Sequence, residues 1–237
     1  MFANSAPIQV SVGTLHGNVP RPASFRFALF EFVAGALPGW RDRADRPSAN
    51  AETVLTSQLC AHLNSLARHT RGWDILQFRV EEPDETKKGR KIDLIAAPIG
   101  ATITIEGRKY LDFDSLMPIE CKRLPTPQDS SRDPREYVFC SNSSTGGIQR
   151  FKEGNHGAQH GFGAMIGYVQ KTKIEDIQAA VLQWIAELAD TEEGWSEKDL
   201  LDPGKHDTLL RLATYSSSHS RKSGLPDIQL YHAWIEL

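Results

Sequence analysis

Between Asn50 and His69 the apolar residues Ala51, Val54, Leu55, Leu59, Leu63 and Leu66 recur three and four positions apart. That period predicts a helix with one face in the core. Ser48 or Asn50 could cap it. A second amphipathic helix follows Thr172-Lys173-Ile174-Glu175, a capping-box pattern, with Ile174, Ile177, Val181, Trp184, Ile185 and Leu188 on one stripe. Phe25 to Leu37 is apolar and aromatic and predicts a helix ending near Pro38-Gly39. Trp73 to Val80 alternates and reads as a strand, followed by a charged turn to Lys88. Lys91–Ile99, Met117–Leu124 and Ala164–Val169 are short apolar runs of strand length, and Ile228–Leu237 closes the chain as another strand. A hairpin is expected within residues 100–112, and a short helix over Gly147–Lys152. Residues 1–24 predict a loose or edge-strand arm, 125–134 a polar loop and 191–207 an acidic connection. This order predicts an α/β or α+β fold with a mixed sheet. An arm and helix over 1–47 precede a domain over 48–237, with its core ending near residue 170.

Two of the apolar runs carry charge. Arg90-Lys91-Ile92-Asp93-Leu94 holds Asp93, and Ile119-Glu120-Cys121-Lys122-Arg123 holds Glu120 and Lys122. Charged residues rarely sit in such runs without a partner or a metal. Glu120 and Lys122 are two apart, so in a strand they leave the same face. If a neighbouring strand brings Asp93 beside Glu120, two carboxylates meet with an ammonium next to them. Glu52 lies at the margin of its helix stripe. It could look inward, or complement the helix dipole from the first turn.

Composition adds bounds. The chain has 237 residues, 40% hydrophobic and 24% charged, which is ordinary for a soluble domain. No apolar run has membrane-spanning length, and no secretory pattern is visible. Cys60, Cys121 and Cys140 form neither a disulfide framework nor a zinc pattern, so a reducing cytoplasm is expected. The net charge of -3 hides an asymmetry. Residues 87–173 carry 14 basic and 9 acidic groups, while residues 174–237 carry 5 basic and 12 acidic. The basic excess surrounds the charged runs and suits a phosphate-bearing substrate. Taken alone, Lys87-Lys88-Gly89-Arg90-Lys91 reads as a solvated loop.

Hydrolysis of a phosphodiester requires neutralising the phosphate and activating water, and a divalent cation does both. Mg²⁺ takes oxygen ligands, which Asp93, Glu120 and the carbonyl of Cys121 could supply. Lys122 could orient or deprotonate the water, or stabilise developing charge. Gln149 and Lys152, one helical turn apart, could face the same site. Ile92-Asp93, Glu120-Cys121-Lys122, the preceding helix with Glu52 and the following Gly147-Ile148-Gln149-Arg150-Phe151 together resemble the PD-(D/E)XK nuclease superfamily, over roughly residues 48–170. Pro83-Asp84 matches the family's dipeptide, but it falls in a charged turn, so Asp93 is preferred. The 27-residue step from Asp93 to Glu120 is long, and the hairpin would absorb it.

The resemblance implies a restriction-endonuclease-like mixed sheet flanked by helices. It implies catalytic and metal-binding roles for Asp93, Glu120 and Lys122, with Glu52 and Gln149 auxiliary. Mg²⁺ would be the cofactor, with Mn²⁺ as substitute, and DNA the substrate. Arg123, Arg150 and Lys152 would contact phosphate. Restriction, phage defence or mobile-element processing would fit, as would a homodimer or a targeting partner. The rival expectation is a catalytically silent module of the same fold that binds nucleic acid or a protein. It is motivated by the nearly neutral charge and the absence of an obvious DNA-reading domain.

Other chemistry is weaker. His156 and His160 are spaced as helical metal ligands, but the glycines around them favour a surface loop. Ser216–Arg221 could meet phosphate, and a solvent loop is the preferred reading. His232 reads as a satisfied core histidine. No Gly-x-Ser-x-Gly or phosphate-cradling Walker loop is present.

Overall fold

The run Phe162–Val169 is buried at all eight positions. Apolar residues without alternation are what a strand covered on both faces requires. In the computed structural model, which describes residues 18–86, 88–127, 132–143, 145–222 and 224–237, this strand is the middle of a mixed sheet. Expectations for residues 1–17, Lys87 and residues 128–131 lie outside the described residues.

In chain order the elements are β1 (Asn18–Arg21), α1 (Phe25–Arg41), α2 (Glu52–His69), β2 (Leu76–Pro83), β3 (Lys91–Pro98), β4 (Thr102–Ile105) and β5 (Arg108–Tyr110). There follow β6 (Met117–Leu124), α3 (Gly147–Lys152), β7 (Phe162–Val169), α4 (Ile174–Thr191), β8 (Asp202–Asp207), β9 (Leu212–His219) and β10 (Ile228–Glu236). The fold is α+β. Seven strands form one sheet in the order β2-β3-β6-β7-β10-β9-β8, and β1-β4-β5 form a small second sheet. β6, β7 and β10 run parallel, while the outer pairs are antiparallel.

Side-chain alternation in β7 and β10 divides the core in two. On one face α1 and α2 bury Leu29, Leu37, Trp40, Leu55, Leu59 and Leu63 against Leu94, Ile119 and Ile166. On the other, α3 and α4 bury Ile148, Phe151, Val181 and Ile185 against Leu124, Val169 and Trp234. Each fully buried side chain of this size contributes about 1.5–3 kcal/mol. Helix α1, which the sequence assigns to an arm, therefore packs in the same core as α2.

Several expectations are corrected by tertiary contacts. Helix α1 passes through Pro38 instead of stopping there. Burial of Trp40, and donation from Arg41 Nη1 to the Leu210 carbonyl at 2.7 Å, hold the last turn. Helix α2 has Ala51 at its N-cap and no side-chain cap from Ser48 or Asn50. The capping box at α4 is not made; Glu236 Oε1 of β10 accepts the Ile174 N–H at 3.0 Å instead. β2 runs through Glu81 and Glu82 to Pro83, where a charged turn was expected. The acidic connection contains a 3-10 turn, Glu197–Asp199, and β8. Ser216–His219 is the end of β9, not a solvent loop.

That last strand was hidden because its inward residues are polar. Ser217, His219 and His232 are all fully buried. They belong to one hydrogen-bonded chain whose direction the chemistry settles. An indole N–H can only donate, so Trp234 Nε1 donates to Tyr137 Oη at 2.8 Å. Tyr137 then donates to His232 Nδ1 at 2.7 Å. His232 carries its proton on Nε2 and donates to Ser217 Oγ at 2.8 Å. Ser217 donates to His219 Nε2 at 2.7 Å, and His219 Nδ1 donates to Asp199 Oδ1 at 2.5 Å. Both imidazoles are satisfied while neutral, so His232 is the core histidine that its position predicts. Ser217 faces no solvent, so this Asp-His-Ser order is not an exposed nucleophile.

Burial depresses both histidines, and it takes His232 down to about 3, with His219 adding to the shift. The unfolded chain therefore binds protons near pH 6.5 that the folded chain refuses. Their contribution is present above pH 6.5 and is lost as pH falls toward 3. Between pH 7 and pH 5 the unfolding free energy of the wild type should fall by about 1–2 kcal/mol more than that of His232→Gln. Urea titrations at the two pH values measure this, and equal slopes would reject the assignment.

Candidate active site

Strands β3 and β6 part company where the charges begin. Their register pairs Ala96 with Met117, Ile95 with Pro118 and Leu94 with Ile119, and there it ends. The next residues outward are Asp93 and Glu120. Beyond the fork, β6 has lost its neighbour on that side, and its N–H groups need other acceptors. Asp93 Oδ2 accepts the Cys121 N–H at 2.9 Å. Glu52 Oε2, from the first turn of α2, accepts the Arg123 N–H at 3.0 Å. Two carboxylates thus take the place of the missing strand. Glu52 looks inward, one of the two orientations the sequence leaves open.

Lys122 occupies the middle. Its Nζ lies 2.6 Å from Glu120 Oε1, 3.5 Å from Glu52 Oε1 and 3.7 Å from Asp93 Oδ2. It also donates to the Cys121 carbonyl at 3.3 Å. Atoms of Asp93 and Glu120 that share one nitrogen at these distances are close enough for a common site, where paired metals lie ~4 Å apart. Glu120 is fully buried and has two further neighbours, Arg150 and His156. Arg150 Nη1 of α3 donates to its Oε1 at 2.5 Å. His156 Nδ1 stands 3.0 Å from its Oε2 without hydrogen-bond alignment.

The charge states follow from these contacts. Burial raises Asp93, the Glu120 charge raises it further, and Lys122 opposes them, leaving it at about 6. Burial would also raise Glu120, but Lys122, His156 and Arg150 together hold it below the ordinary carboxylate range. Burial pulls Lys122 down, and Glu120, Asp93 and Glu52 more than compensate, so it stays an ammonium. As the protein stands, Lys122 is a charged group placed to orient and to stabilise charge. The Cys121 thiol is pushed up by burial and is inert, so only its carbonyl is available.

A cavity of about 230 Å³ opens on the Glu52 and Asp93 side, lined also by Thr53, Thr56, Ser57, Val80 and Glu81. Among the described residues no group of three or more His, Cys, Asp or Glu side chains forms a ready metal cage. The oxygens of Asp93 and Glu120 and the Cys121 carbonyl are nevertheless hard donors of the kind Mg²⁺ takes. Three carboxylates face two cations, Lys122 and Arg150. Burial first, and the Glu120 charge second, account for the raised Asp93.

Other expected residues lie elsewhere. Gln149 does not reach the cluster. Its Oε1 accepts the N–H groups of Cys140 and Gly146 at 3.1 and 3.2 Å, closing the start of α3. Lys152 is turned away, with its Nζ 2.5 Å from Asp199 Oδ1 at the end of the buried chain. Arg123 donates from its side chain to the Asn50 carbonyl at 3.0 Å. Asp84 accepts the Gly157 N–H at 3.2 Å and so steadies the loop after α3.

The sequence reading missed His156 and His160, which are buried and not on a surface loop. That loop turns at Gly154 and Gly157, both at positive φ. Arg221 clamps it through the carbonyls of Gly157 and His160 at 3.2 and 3.0 Å. The glycines were visible in the sequence; the clamp, from 61 and 64 residues away, was not.

Gly146 sets the entry to α3. A Cβ there would stand 2.5 Å from Phe139 Cα and 2.8 Å from Cys140 N, backbone atoms that no rotamer can move aside. Asp93→Asn keeps an acceptor for Cys121 N–H and removes the strained charge. A raised carboxyl pKa favours the folded state below it and costs stability as pH rises from 3.8 through 6. Asp93→Asn should therefore stabilise the protein by about 1–2 kcal/mol at pH 7 and leave it unchanged at pH 4, in denaturant titrations. Destabilisation at pH 7 would contradict the shift.

Comparison with protein-family models, with curated proteins and with solved structures finds no match.

Proposed function

We propose that this protein is a metal-dependent endonuclease that hydrolyses DNA phosphodiester bonds. One observation carries the reading: Glu52 of α2, Asp93 of β3 and Glu120 and Lys122 of β6 converge on a single point. The sequence resemblance to the PD-(D/E)XK superfamily assigns function to those residues, and their convergence supports it. The basic excess of residues 87–173 suits a polyanion.

Asp93, Glu120 and the Cys121 carbonyl would hold Mg²⁺, or Mn²⁺ in its place. The bound cation supplies Lewis acidity toward the phosphate and lowers the pKa of its water. Asp93, partly protonated near neutrality in the free protein, would give up that proton to take a cation. Lys122 would stabilise the charge that develops on the phosphate oxygens. Glu52 holds β6 in place and faces the cavity from which solvent reaches the site. Arg150, which reaches Glu120, would meet phosphate, and Arg123 would do so on leaving the Asn50 carbonyl. Lys152, paired with Asp199, is left out. No helix among the described residues is long and apolar enough to cross a membrane.

A second reading is a silent module that binds nucleic acid or a protein. It is favoured by the ammonium at the centre of the carboxylates and by the lack of a ready three-ligand cage among the described residues. Purified protein incubated with linear, nicked, supercoiled and single-stranded DNA separates the two. The nuclease reading expects cleavage with Mg²⁺ or Mn²⁺ and none with a chelator. Glu120→Ala and Lys122→Ala should each lower the rate by about 10²–10³-fold or more. Cleavage that survives both substitutions sinks it, and tight metal-free binding without cleavage favours the module.

A further inference from the structure

Arg150 is paired in a way that leaves part of its guanidinium idle. Its Nη1 reaches Glu120 Oε1, the same oxygen that Lys122 approaches at 2.6 Å. Its Nε is buried and meets no acceptor. A guanidinium is a planar fork suited to two oxygens at once, as a phosphate presents. Here it grips one oxygen end-on, and a buried donor without an acceptor costs free energy. The two cations around Glu120 also differ in access. Lys122 has carboxylates on three sides and a side chain 5 % exposed. Among the described residues Arg150 has only Glu120 as an ion partner, and its side chain is 18 % exposed.

We propose that Arg150 is a stand-in cation: it covers a Glu120 oxygen while the site lacks metal, and turns to a substrate phosphate when a divalent cation takes that oxygen. This rests on the metal-dependent reading given above. The charges determine which group leaves. Glu52, Asp93 and Glu120 balance Lys122 and Arg150 with one negative charge to spare. An incoming divalent cation reverses that excess and repels both. Only Arg150 has a path toward solvent. The released fork, with its orphaned Nε–H, then matches a phosphate, and the net positive site favours that anion. Metal and nucleic acid thereby strengthen each other's binding through one side chain, and the coupling is reciprocal.

The test measures Mn²⁺ binding by calorimetry and binding of a fluorescent DNA duplex by anisotropy, with and without Ca²⁺. It uses the wild type, Arg150→Met and Arg150→Lys. Arg150→Met should bind Mn²⁺ roughly tenfold tighter than wild type, because the competing donor is gone. Ca²⁺ should strengthen DNA binding of the wild type roughly tenfold more than it strengthens that of Arg150→Met, where only the cation's own contact with phosphate is left. Arg150→Lys keeps the charge without the fork; it should bind Mn²⁺ like the wild type and show a Ca²⁺ effect close to that of Arg150→Met. A merely structural arginine gives the opposite sign, with weaker Mn²⁺ binding in both variants. Mn²⁺ affinity in Arg150→Met that is equal to or weaker than wild type overturns the coupling alone. A Ca²⁺ effect on DNA as large in Arg150→Met as in the wild type overturns it too. A wild type that takes up no Mn²⁺ removes the metal-dependent reading as well.

Discussion

Everything at the candidate site follows from the point where β3 leaves β6. A strand cannot bury unpaired N–H groups, so the fork past Leu94 and Ile119 needs acceptors. Asp93 and Glu52 provide them, and their placement draws the Lys122 ammonium into the gap. The cluster is thus a repair of the sheet as well as a concentration of charge. Glu120, with no backbone donor to serve, is left to Lys122, Arg150 and His156.

Much of this was legible in the chain, for a simple reason. Charge within an apolar run is expensive, so Asp93, Glu120 and Lys122 stand out. The antiparallel register then places Asp93 and Glu120 as the next pair beyond Leu94 and Ile119. The strands Lys91–Pro98 and Met117–Leu124 were readable because burial on both faces leaves a largely apolar run, in which the charges stand out. What stayed hidden depends on distant partners. The ends of α1, α2 and α4 are set by Arg41, by backbone alone and by Glu236, not by their own caps. Strand β9 escaped because Ser217 and His219 point inward and satisfy each other, which defeats any reading based on hydrophobicity.

Helix α3 joins two buried polar systems. Arg150 and Lys152 are two residues apart, yet one meets Glu120 and the other Asp199. About half a helical turn separates their directions, so a six-residue element serves both sides. Its position is correspondingly constrained, by Gly146 against residues 139–140 and by the Gln149 carboxamide. Gln149 matters to the site through placement of its helix rather than through contact.

The double duty of Asp93 and Glu52 bears on how this protein's descendants would look. Groups that close a gap in the sheet remain under selection even after chemistry is lost, because the fold still needs acceptors for Cys121 and Arg123. A decayed lineage would therefore keep an oxygen acceptor at both positions, as acid or amide, and with it the outline of the site. Lys122 serves no backbone donor, and its loss leaves the ladder intact. On the proposed metal-dependent reading, the lysine rather than these two acceptors would record whether the chemistry survived.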